Sequence, residues 1–117
     1  MSLKKELENL TGAFCEEAPK DAVYPYKVFS ARRLSDSDGR MNYTLEVNVW
    51  DNHKYYSRAE DVMDELEKQL HRCNHITEQF LIRIYKGQRD NVPDPDKAIK
   101  RVREQFEMHV YDRKENE

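Results

Sequence analysis

Hydrophobic and polar positions change period several times along the chain, and each change predicts an element. Leu3, Leu7 and Leu10 recur at helical spacing through an otherwise polar opening, which gives a short amphipathic helix with Ser2 as N-cap. Gly12 ends it. About two turns of helix are marginal alone, so this one must dock on something. Residues 13–24 carry no period, and Pro19 and Pro25 mark them as a surface connection with room for one short extended stretch. From Tyr26 the pattern alternates, with Val28 and Ser30 on one face and Lys27, Phe29 and Ala31 on the other. Residues 35–40 read as a turn, with Asp38 and Gly39 suited to positive backbone dihedrals. Met41, Tyr43, Leu45, Val47 and Val49 then alternate against Asn42, Thr44, Glu46, Asn48 and Trp50, the strongest strand pattern in the chain. With the preceding strand it predicts a long antiparallel hairpin.

Ser57 followed three residues later by Glu60 reads as a capping box. Behind it Ala59, Val62, Met63, Leu66, Leu70 and Cys73 form an apolar stripe that predicts one long helix lying on the sheet. Phe80, Ile82 and Ile84 alternate with Leu81, Arg83 and Tyr85 as a third strand. Residues 87–97, with Pro93 and Pro95, predict a long hairpin loop. Val102, Phe106, Met108 and Val110 share one parity in a final strand of about ten residues or more, long for its class. The expected fold is therefore α+β, an antiparallel four-stranded sheet with helices packed on one face, in the order α-β-β-α-β-β. Residues 1–117 read as a single domain, with 112–117 as a polar tail.

Composition narrows the function. Hydrophobic residues are 38% and charged residues 37%, enough to close one core beneath a highly charged exterior. The net charge of −3 has no basic stripe behind it and argues against a dedicated double-stranded nucleic-acid binder. Cys15 and Cys73 are too few for a disulfide scaffold and point to a reducing compartment, a single Cys15–Cys73 bridge staying open. The opening segment is charged rather than basic and then apolar, so no secretory leader or membrane span is expected.

Candidate chemistry is sparse. His71, Cys73 and His75 are the densest metal-like cluster, but the pattern sets Cys73 toward the core and His71 toward water. Ser57 lacks a nucleophile elbow and reads as a cap. The acidic residues of the long helix form a solvated face, and three glycines cannot build a phosphate loop. No catalytic residue, metal ligand or cofactor is predicted. The aromatic content says more: seven Tyr and one Trp exceed what one small core holds, and such side chains are economical interface anchors. Tyr24, Tyr26, Trp50, Tyr55, Tyr56, Tyr85 and Tyr111 are the aromatic interface candidates. Asp90 and Asp94 join them from a segment expected to be mobile until ordered at a contact. Strands that outrun their helices also need partners, which sheet extension between subunits supplies.

The layout resembles the tail-completion proteins of long-tailed bacteriophages and prophages, which act as tail terminators or head-tail joining proteins. The matching features are Ala13-Phe14 to Ala18-Pro19, the strand opening Tyr24-Pro25-Tyr26-Lys27-Val28-Phe29, and Leu45-Glu46-Val47-Asn48-Val49-Trp50-Asp51. Ser57-Arg58-Ala59-Glu60, the 90–97 loop and Phe106-Glu107-Met108-His109-Val110-Tyr111 continue them. The resemblance implies a virion protein, assembled in the host cytoplasm, whose copies form a hexameric ring on the tail tube. Its partners would be its own copies, the tail-tube protein and the head-tail connector, with DNA only as passing cargo and no membrane. A head-side neck or minor capsid protein is the first competing reading. The second is a non-viral module that binds protein or single-stranded nucleic acid on an exposed sheet.

Overall fold

The computed structural model describes residues 2–113. Their order is α1 (Leu3–Thr11), β1 (Phe14–Cys15), β2 (Tyr26–Ser37), β3 (Arg40–Asp51), α2 (Ser57–Leu70), β4 (Cys73–Ile76), β5 (Phe80–Val92) and β6 (Lys100–Asp112). The six strands form one curled, half-barrel sheet in the order β1-β2-β3-β6-β5-β4. This corrects the expected four-stranded antiparallel sheet and its α-β-β-α-β-β order. β1 runs parallel to β2, so the sheet is mixed, and β4 adds a further antiparallel edge. Two- and four-residue strands are too short to show alternation. Their place is set by the strands they pair with rather than by their own side chains.

The long elements follow their patterns. Ser2 Oγ accepts the Lys5 N–H at 3.2 Å, and Gly12 closes α1 in the left-handed region at φ 67°. Asp38 and Gly39, with φ of 47° and 80°, join β2 to β3 through a two-residue turn, Ser37 pairing with Arg40. Helix α2 buries Ala59, Met63, Leu66 and Leu70 against Leu45, Val47, Val49, Phe106 and Met108 in one core that also takes Leu7 from α1. Met41 and Tyr43, at the start of β3, are only half-buried. Helix α1 bridges the curl: Lys4 pairs with Glu16 beside β1 at 3.0 Å, and Glu6 with His75 of β4 at 3.0 Å.

Other details differ from the sequence reading. Helix α2 starts at Ser57 after Tyr56, which has no side-chain cap, so the Ser57–Glu60 capping box does not form. Cys73 lies in β4 rather than at the helix end, and both thiols are free. Residues 87–92 are strand, which leaves 93–99 as the connection. The chain bulges between Tyr85 and Gln88, and a Cβ on Gly87 would stand 1.9 Å from the Gln105 carbonyl oxygen. Gly87 is thus the close approach that lets the strand continue, not its end. β6 includes Asp112, and the expected polar tail from 114 on lies outside the described residues.

Candidate interaction surface

Alternation puts the apolar residues of β3, β5 and β6 under the helices, and among the described residues no helix covers the other face of the sheet. That face carries Tyr26, Trp50, Arg101, Arg103, Arg83, Tyr85, His109 and Tyr111. Its side chains are tied sideways. Arg101 donates to Asn48 at 2.8 Å, Asn48 to Glu46 at 3.1 Å and Gln105 to Glu46 at 3.3 Å. Arg103 pairs with Asp90 at 2.8 Å and Arg83 donates to Asn74 at 3.0 Å. The Arg101 guanidinium lies 4.8 Å from the Trp50 ring centre, a cation–π contact. Such bonding holds the rotamers in place before any partner arrives, which lowers the entropy cost of docking.

A groove of about 520 Å³ opens on this face between residues 16–20 and the strands, lined by Glu16, Glu17, Pro19, Tyr26, Trp50 and Arg101. Phe14, 39% exposed, packs edge-to-face with Tyr26, their ring centres 6.3 Å apart, and Val23 nearby in sequence is 81% exposed. Burial, followed by the neighbouring Tyr24, pushes the Tyr26 hydroxyl above its ordinary range.

The edges matter as much as the face. Among the described residues, β1 pairs only with Val28 and Phe29, and β4 only with Leu81, Ile82, Arg83 and Ile84. Among the described residues, no strand pairs with the outer edge of β2 over 30–37, nor with that of β5 over 88–92. The β2 segment ends beside Arg40 and Tyr111, the β5 segment beside Lys100 and Asp51. The open segments therefore lie on opposite edges and at opposite ends of a molecule 51 Å long. Leu34, the extra residue of a bulge between Arg33 and Ser35, is 56% exposed on the first of them.

Two charged clusters support this frame from beneath. Asp51, with no exposure, accepts from Arg58 Nε at 2.8 Å, and the hydrogen bonds from Arg58 hold its carboxyl below the usual range. Arg89 joins Glu104, Glu67 and Asp64 at 2.8, 2.9 and 2.6 Å. Among the described residues, no group of three His, Cys, Asp or Glu side chains is placed to hold a metal ion. His71 accepts the Lys86 N–H at 2.9 Å.

The structure brings some of the expected contact residues together and scatters the others. Tyr24 and Tyr26 lie 5.2 Å apart, with Trp50 opposite Tyr26 in the ladder. Tyr85 packs on His109 at 5.4 Å and Tyr111 under Arg83 at 5.9 Å, at the other end of the same face. Tyr55 is 59% exposed in the β3–α2 turn, whereas Tyr56 packs against the core with Lys100 over its ring. Asp90 is taken up by Arg103, and Asp94 accepts the Asp96 N–H at 2.9 Å within the 93–99 connection. Sequence reasoning missed Phe14, Leu34, Arg101 and the Glu104 cluster. Glu104 carried a legible signal, an acid at a core parity between Val102 and Phe106.

The class defined by these observations is an α+β domain with a curled mixed sheet, helices on its inner side and a bare, laterally bonded outer face. No family model matches the chain, and no curated protein matches it significantly in sequence. Among solved structures, it is similar to a chain in the virion of native gene transfer agent (GTA) particle. The TM-score is 0.69 at 13% identity, covering 90% of this chain and 84% of that one. At that identity the likeness is one of fold.

Proposed function

We propose that this chain is a structural subunit of a phage-like virion, acting at the tail end as a hexameric ring that caps the tail tube and joins it to the head connector. The observation that carries the virion reading is the fold shared with a GTA virion chain along nearly the whole length. The ring reading draws on the open strand segments at opposite ends and edges. A contact from one to the other is heterologous, and repeated by rotation it closes a ring. The bare outer face then offers the area for the tail-tube and connector contacts, and DNA passes through the lumen without being read. The role is mechanical, in the virion after assembly in the host cytoplasm. Dilute protein can stay monomeric, because a template raises the local concentration of copies.

The test is electron microscopy of particles made with and without this gene. Tubes of uncontrolled length that fail to join heads are the expected result. Normal tails on heads that leak DNA would move the protein to the head-side neck, and normal infectious particles would remove it from the virion.

A further inference from the structure

Glu104 stands where the alternation of β6 calls for an apolar side chain. Val102 and Phe106, its neighbours on that face, are buried, and Glu104 itself has no exposure. Across the ladder it faces Val47 of β3 on one side and Arg89 of β5 on the other. From α2, Glu67 and Asp64 reach the same guanidinium. Arg89 spends Nε on Glu104 Oε1 at 2.8 Å, Nη2 on Glu67 Oε2 at 2.9 Å and Nη1 on Asp64 at 2.6 Å. Nε and Nη2 lie on one edge of the guanidinium, so their two acceptors are drawn against each other. Among the described residues, the remaining Glu104 oxygen, Oε2, is buried without a donor. Two ionised carboxylates side by side repel, whereas a proton on one turns the contact into a strong O–H···O⁻ bond. Lys86, also on β5, adds positive charge toward Glu67, and β3 sets the apolar Val47 opposite Glu104 in the ladder.

We propose that Glu104 and Glu67 share one proton and, with Arg89, form a proton-operated clasp that fastens the outer part of β5 to α2. Burial, then the contact with Glu67, raises the Glu104 carboxyl to about 7, with Arg89 opposing. Burial pushes Glu67 up too, but the bond from Glu104 and the charge of Arg89 hold it below its ordinary range. When the shared proton leaves, three carboxylates compete for one guanidinium. The segment 88–92, held on its inner face by Arg89 and open at its outer edge, is the part released.

Hydrogen exchange on the purified chain at about pH 5.5 and about pH 8.5, corrected for intrinsic rates, tests this directly. Protection of residues 88–92 is expected to fall by about tenfold at the higher pH, the equivalent of one pKa unit of coupling. The β2–β3 hairpin serves as the internal reference and is expected to hold. Glu104→Gln, which keeps a donor toward Glu67 without a titrating proton, is expected to abolish the pH dependence. Carbon-detected NMR of the wild-type side chain gives a readout that needs no variant, with Glu104 titrating near neutrality. Equal corrected protection at both pH values, or Glu104 titrating in the ordinary carboxylate range, would overturn the proposal.

Discussion

Gly87 shows how one side chain, or its lack, decides the course of a strand. Any Cβ there meets the Gln105 carbonyl, a backbone atom that cannot turn aside. Gly87→Ala is expected to cost about 1 to 3 kcal/mol or more by overpacking, read from denaturant unfolding, and to loosen residues 88–92 first. Leu66, 2% exposed at the centre of the α2 stripe, tests the core in the opposite sense. Leu66→Ala should lose about 2 to 5 kcal/mol, and a loss much smaller would mean that the helix face is misassigned. Glu104 adds a pH signature to the same unfolding experiment. Its native pKa of about 7 lies above its unfolded 4.5, so its contribution is full below the unfolded value and is lost as pH rises through about 7. Unfolding free energy is therefore expected to fall between those values, and Glu104→Gln to flatten that limb.

At the scale of elements, β3 and α2 are joined by a short turn whose geometry rests on Asp51 and Arg58. Asp51 continues the core parity of Val47 and Val49, so it is carried under the helix, where an unpaired carboxylate would be costly. Arg58, second residue of α2, reaches back to it. Arg58→Ala is expected to destabilise by about 1 to 3 kcal/mol, since it strands the buried acid, while the Arg side chain itself is partly in water. The folded-state pKa of Asp51 is depressed, so the stability it contributes is present above its unfolded value of 3.8 and lost as pH falls through the lower native one. Acid unfolding of Arg58→Ala should accordingly lack part of the wild-type slope. The two bulges act at this scale as well: one sets Leu34 outward on β2, the other re-aims Arg89 toward α2.

The whole molecule is long for its size. Its radius of gyration is 15.0 Å, against about 13 Å expected for a compact domain of this length. The two long hairpins extend in opposite directions, and each carries an open edge segment. Charged and polar side chains guard the β2 segment, among them Arg32 and Asp36, yet Leu34 stands exposed between them. Leu34→Asp is expected to leave unfolding within about 0.5 kcal/mol of wild type, as for other surface changes. Under the ring reading it should weaken self-association measured by sedimentation at high concentration, or ring formation on tail tubes seen by microscopy. Unchanged assembly would place the subunit contact elsewhere.

What the chain determined by itself was whatever repeats within a few residues. The stripe of α2, the strict alternation of β3, that of β6 on either side of Glu104 and the Asp38-Gly39 turn are each encoded by side chains a turn or a pleat apart, and all were legible. So was the surplus of aromatic residues, although only the structure separated Tyr56, a core contact, from Tyr26 and Trp50 on the bare face. Tertiary structure alone decided the six-stranded order, because β1 and β4 exist through hydrogen bonds to β2 and β5 rather than through any pattern of their own. It also decided that residues 87–92 are strand. Gly87 and the charges after it look like a loop until Gln105 and Glu104 are set beside them, and those partners lie too far along the chain for local periodicity to place them.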